Sequence, residues 1–347
     1  MKRSLDLDSS GEASGNKRPR LSQTSDKDRS QPTNIEAEDL GLVRDEEFWY
    51  EDGSVVLVAG NVGFRVYRGL LVRRSEVFSD LFSVPQPQDS QLVCGCPVVH
   101  LSDTPDSLRE LLGVLLCGKK YIQKNDIELH LLSYRIRLSH KYGIQDVLNE
   151  SIQQLKALIP TDLARWLAMG RHYSARAITA VNLARLTSTK LVIITALYMC
   201  CQLPNHVLLE GAAHPDGTTD ELSRDDLLQC LDAKAVLTHT YAHGIYSQTS
   251  IVVQGCRSHA SCGRALDSIR YTAAKRLTMD IIDTWDELLD KYDRTKVGDA
   301  ALVSLCQCCM VNLRQRVWAH VSYRWAFLAS YMDVRGQGKD GGVEEEP

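Results

Sequence analysis

From Phe48 onward the apolar residues fall into short patterns that predict elements in order. Order is expected to begin at Phe48-Trp49-Tyr50. Val55-Val56-Leu57-Val58 is a continuous apolar run, the pattern of a strand buried on both faces. Phe64-Arg65-Val66-Tyr67 alternates, as a half-buried strand does. Gly60-Asn61-Val62-Gly63 between them has the residues of a hairpin turn. From Gly69 the period lengthens: Leu70, Leu71, Arg74, Val77, Phe78, Leu81 and Phe82 predict one helix, ended by Pro85 and Pro87. Val98–Leu101 is the third strand candidate. Thr104 with Pro105 is a helix start, hydroxyl cap followed by proline in the first turn. Leu108, Leu111, Leu112, Leu115 and Leu116 then form an apolar stripe that Gly118 closes.

Two further helices carry Leu129, Leu132, Ile136 and His140, then Val147, Leu148, Ile152, Leu155 and Ile159, stopping at Pro160. Beyond this the strand pattern fades. Helices are expected over 175–186, 191–203, 223–240, 265–292 in one or two pieces, and 300–332, with Ser223 and Asp226 placed like a capping box. The expected organisation is a disordered tail over 1–45, a mixed domain over 46–160, an all-helical extension over 161–333 and a solvated tail over 334–347. Both tails are too poor in apolar residues to offset the entropy of ordering them.

Strand, tight turn, strand, helix, loop, strand, leucine-rich helix and paired helices is also the element order of a BTB/POZ domain. The stretch FWYEDGSVVLVAGNVGFRVYRGLLVRRSEVFSDLF resembles fungal BTB-domain proteins, and CPVVHLSDTPDSLRELLGVLL continues the likeness. LSHKYGI, AITAVNLARLT and ELSRDDLLQC resemble the helical extension of the same group. The resemblance covers about residues 46–330. It implies an α+β fold, a small three-stranded sheet flanked by helices, followed by an all-helical C-terminal extension. It also implies a non-enzymatic protein–protein interaction and oligomerisation module, an adaptor that forms homodimers or heterodimers and acts in nuclear regulation. Two positions depart from the family: Ser54 where many members have Asp, and Tyr67 where many have His before Arg. The alternative function is a substrate adaptor for a cullin-type ubiquitin ligase. The loop Ser83–Pro97 lacks the glutamate of the usual cullin contact.

Composition changes this picture little. Net charge is −4, so no broad positive field points to nucleic acid, and direct nucleic-acid binding is not expected. The opening MKRSLDLDSS has no apolar stretch after its basic residues, so no secretory signal is expected there. The longest apolar run, near 191–203, is too short and too interrupted for a bilayer, and a nuclear or cytoplasmic protein is expected.

Eleven cysteines are then read as reduced thiols. Cys256 and Cys262, with Cys306 and Cys309 in a C-x-x-C, are a candidate structural zinc site, since four thiolates complete a tetrahedron. The first pair is spaced wider than usual, and the plainer alternative is four small side chains packed in helices, with no cofactor at all. Cys200, Cys201 and Cys308 are expected to pack in the core. His239 and His243 have metalloprotease spacing, but Thr240 stands where the general base belongs. No catalytic constellation is visible and no enzyme is expected.

The residues expected at an interface are Phe48, Trp49, Leu70, Leu71, Val77 and Phe78. For Phe48 and Trp49, closure of the chain's own core is an equal alternative. Lys17, Arg18 and Arg20 form a basic cluster suited to an import receptor, or plain solvated charge.

Overall fold

The computed structural model describes residues 34–84, 92–118, 127–170, 173–276, 278–297 and 303–332. The fold is mixed α+β, with a sheet half and a helical half joined through one long helix pair. Lys17, Arg18 and Arg20, and the tail over 334–347, lie outside the described residues.

The sheet half runs β1 (Asn34–Ile35), β2 (Val43–Trp49), β3 (Val55–Ala59), β4 (Val62–Val66), α1 (Arg68–Arg74), α2 (Glu76–Ser83), β5 (Leu92–Val93), β6 (Cys96–Leu101) and α3 (Pro105–Cys117). The expected small three-stranded sheet is six-stranded, in the order β1-β5-β6-β3-β4-β2. The three expected strands are its centre. β3 pairs antiparallel with β4 through a two-residue loop, Gly60-Asn61, and parallel with β6. The alternating side chains of β3 divide between two layers. Val55, Leu57 and Ala59 pack under α1, α2 and α3, and Val56 and Val58 pack with Val93 and Cys96 on the opposite face.

Order therefore begins before residue 46, at Asn34 among the described residues. β2 reads VRDEEFW and shows no apolar alternation, yet Asp45 points inward and is buried. Its carboxylate accepts from the Glu47 and Phe48 amides at 3.1 and 2.9 Å and from Arg109 Nε at 2.9 Å. A buried carboxylate satisfied in this way replaces an apolar residue without an orphaned charge.

The single helix expected over 69–82 is two helices. Ser75 is extended between them and caps α2, its Oγ accepting from Phe78 N at 3.0 Å. At α3 the Thr104 cap and Pro105 stand as expected. The helix pair α4 (Leu129–Lys141) and α5 (Gln145–Leu158) follows. On α4, Leu129, Leu132 and Ile136 belong to the helical core while Leu138 belongs to the sheet core, so one helix serves both.

The helical half contains α6 (Leu163–Met169), α7 (Arg176–Leu186), α8 (Lys190–Cys201), α9 (Asn205–Glu210), α10 (Arg224–Thr249), α11 (His259–Ala274), α12 (Asp286–Asp290), α13 (Arg294–Val297), α14 (Gln307–Ala326) and α15 (Leu328–Met332). It is not all-helical as expected. β7 (Ala212–Ala213) and β8 (Thr219–Asp220) form a small antiparallel hairpin after α9. Such two-residue strands are too short to leave a periodic signal. The hairpin docks on α4, where Asp220 meets Arg137 Nη2 at 2.6 Å and His214 Nε2 at 2.8 Å. Burial raises the Asp220 pKa, but Arg137 and the His214 and Thr179 hydrogen bonds outweigh it, and the carboxyl lies below its ordinary value.

Of the one or two helical pieces expected over 265–292, one ends at Ala274 and the other is the short α12, and the rest of the described residues of 278–297 and 303–306 are largely irregular. Side chains hold them. Asp280 accepts from Tyr198 Oη at 2.8 Å, Tyr173 Oη at 3.1 Å and Ile282 N at 3.2 Å. Arg324 is buried, donating to Thr240 O at 2.6 Å and Ile281 O at 3.1 Å. Gly244 is required there, because a Cβ would collide with the Arg324 guanidinium. No helix among the described residues is long and apolar enough to cross a membrane.

Candidate metal centre and interaction face

The α10–α11 connection turns through Gly255, whose φ of +90° is a backbone conformation that favours glycine. Cys256 follows that turn, and Cys262 lies in the first turn of α11. Far along the chain, Cys306 is the N-cap residue of α14 and Cys309 lies in its first turn. The fold brings the two helix starts together. All four Sγ atoms lie within 4.8 Å of one another, and Cys256 Sγ stands 3.7 Å from Cys306 Sγ. Cys262 and Cys309 are buried; Cys256 and Cys306 are half-buried.

Backbone amides point at these sulfurs. Ser258 N donates to Cys256 Sγ at 3.4 Å, and Cys306 N donates to Cys262 Sγ at 3.3 Å. Burial pushes the Cys306 thiol up, but the Cys309 amide and the thiols of Cys262, Cys309 and Cys256 outweigh it and bring it to about 7. Burial raises the thiols of Cys262 and Cys309. Thiolate is the form of cysteine that binds metal.

Cys308, expected in the core, is exposed, because the helix that turns Cys309 inward turns its neighbour out. Cys200 and Cys201 are buried as expected, and Cys230, which the sequence did not single out, is buried beside them. His239 and His243 are exposed on α10. Among the described residues the four-cysteine group is the one that gathers three or more metal-ligating side chains.

The six residues expected at an interface divide. Phe48, Leu71 and Phe78 are fully buried in the sheet core, with Phe78 stacked on Tyr142 at 4.3 Å. They close the chain's own core and leave the interaction face. Trp49 is half-buried, with the Arg44 guanidinium 4.9 Å over its ring. Leu70 and Val77 point outward, 46% and 41% exposed, and Val84, just past the end of α2, is 60% exposed. The split follows from helix geometry: each apolar pair, Leu70-Leu71 and Val77-Phe78, offers one residue inward and its neighbour outward.

Compared with protein-family models and with curated proteins, the chain matches none. Ser54 and Tyr67 have local partners: Ser54 Oγ accepts from Arg68 N at 3.0 Å, and Tyr67 Oη donates to Asp52 Oδ1 at 2.6 Å. Residues 85–91 of the loop searched for a cullin contact lie outside the described residues.

Proposed function

We propose that this chain is a non-enzymatic adaptor of BTB/POZ type that works by protein–protein interaction and dimerises through the outer face of α1 and α2. The observation that carries this reading is the exposure of Leu70 and Val77 on a helix pair whose opposite side is fixed in the core by Leu71 and Phe78. Large aliphatic side chains held outward on a rigid element are a preformed contact surface. The order of elements, hairpin then two short helices then a parallel strand, supports the family assignment.

The occupant is a second copy of the chain. A twofold interface places one patch against itself, so Leu70 and Val77 would meet their own copies while the exposed Arg73 and Asp80 on the same helices offer opposite charges across the axis. The sheet edge is a poorer contact, because β2 exposes Glu46 and Glu47, and charged residues on an edge strand oppose pairing with another chain.

Light scattering on the full chain tests this reading. Twice the 38.8 kDa chain mass is expected, falling to the single mass in Leu70→Asp with Val77→Asp while circular dichroism stays unchanged. A monomeric native chain at tens of micromolar, or a folded double variant that keeps the dimer mass, overturns it.

A further inference from the structure

We infer that Cys256, Cys262, Cys306 and Cys309 bind one structural zinc ion that clamps the starts of α11 and α14 together. Four cysteines recruited as small apolar side chains have no reason to turn their sulfurs toward one point, and two of these are only half-buried. Their convergence is a property of the sulfur atoms.

The spacing fits a single ion. Zinc holds thiolate sulfur at about 2.3 Å, which puts two sulfurs of a tetrahedron about 3.8 Å apart. The Cys256–Cys306 separation is 3.7 Å, and no pair in the group exceeds 4.8 Å. An iron–sulfur cluster places inorganic sulfide and several irons between its cysteines, and this group is too tight to enclose them. An all-sulfur tetrahedron suits zinc, whose filled d shell imposes no other geometry.

The surroundings match a thiolate centre. Each helix starts without a side-chain cap in the usual sense: neither Ser258 nor Cys306 receives an amide on a side-chain oxygen. The amides of Ser258 and Cys306 themselves donate to sulfur, at Cys256 and Cys262. Such donors stabilise negative sulfur and orient it, as outer hydrogen bonds do in metal sites generally. α11 and α14 also direct their positive ends at the thiolates.

Four protein ligands leave no position for water or substrate, so the centre is structural. Its place in the chain gives it work. Cys262 and Cys306 are 44 residues apart, and between them runs the irregular stretch that follows α11. Fixing both ends of that stretch removes the loop-closure entropy that its few short helices cannot offset.

The test is metal analysis of the full chain, purified without chelator and without an immobilised-metal step. About one zinc per chain is expected by plasma mass spectrometry, with background zinc in Cys306→Ala combined with Cys309→Ala. Cys308→Ala, two positions from Cys306 and outside the group, keeps its zinc. Because the double variant is at risk of unfolding, titration of the native chain with an organomercurial supplies a second reading. Modification of the four thiols should release zinc in step, read with a chromogenic indicator. A native chain without zinc, with iron in its place, or with these cysteines found as disulfides by alkylation mass, overturns the inference.

Discussion

β3 is buried along its whole length and the described residues of 278–297 and 303–306 are buried in part, and the chain satisfies their backbones in opposite ways. β3 lies between two strands, so its amides and carbonyls are paired by the ladder and its side chains are free to be purely apolar. Among the described residues from 278 to 306 the helices are the short α12 and α13. Polar groups there are met one at a time, by Asp280, by Asp283 accepting from Trp285 N at 2.7 Å, and by Arg324 from a distant helix. Buried backbone must be paired in either case. β3 does this with repetition, while the described irregular residues after Thr278 do it with individual polar side chains, each tied to one place.

The largest effect is expected at α4, the helix that both cores share. Arg135 on α4 is buried against Glu110 of α3, with Nη2 and Nε at 2.6 and 3.0 Å from Oε1, and Nη1 reaches Gln154 of α5. Glu110→Ala removes the carboxylate and should cost about 3–5 kcal/mol by urea unfolding, whereas Glu110→Met with Arg135→Met should recover most of it. If the halves fold independently, hydrogen exchange will rise in one half alone; a rise in both shows that α4 couples them.

Gly244→Ala sharpens the comparison inside the helical half. The new methyl group meets a guanidinium that two carbonyls hold in place, so the loss should be about 1–3 kcal/mol, the scale of overpacking a filled interior. Exchange should quicken around Ile281 and Thr240 and stay slow in β3. Equal quickening in β3 would erase the distinction.

The smallest effect is expected at the β7–β8 hairpin. Asp220 has a folded pKa below its unfolded value, so its contribution is complete above the unfolded carboxylate pKa and is lost as pH falls through the folded one. Asp220→Asn should flatten the acid limb of the stability curve. At neutral pH it should remove under about 1 kcal/mol, since Arg137 is partly exposed. An unchanged acid limb would show that the hairpin is held by other contacts.

What could be read along the chain tracks the same division. The apolar run at Val55–Val58, the hairpin and the Thr104-Pro105 helix start are local signals, and each stands where it is expected. The start of β2 is hidden because periodicity counts apolar residues, and one of its two inward residues is an aspartate whose partner, Arg109, is 64 positions away. The break at Ser75 was hidden because the apolar stripe continues across it, and the serine's second bond goes to Tyr142 O.

The sequence by itself determined the central strands, most of the helices and the identity of the four candidate cysteines. Tertiary structure alone decided that the two cysteine pairs meet, that Leu71 and Phe78 face the core while Leu70 and Val77 face outward, and which polar side chains support the irregular stretch. The reason is range. Periodicity and capping are set by neighbours within a turn or two, whereas a tetrahedron of sulfur or a buried ion pair exists only once distant segments have packed.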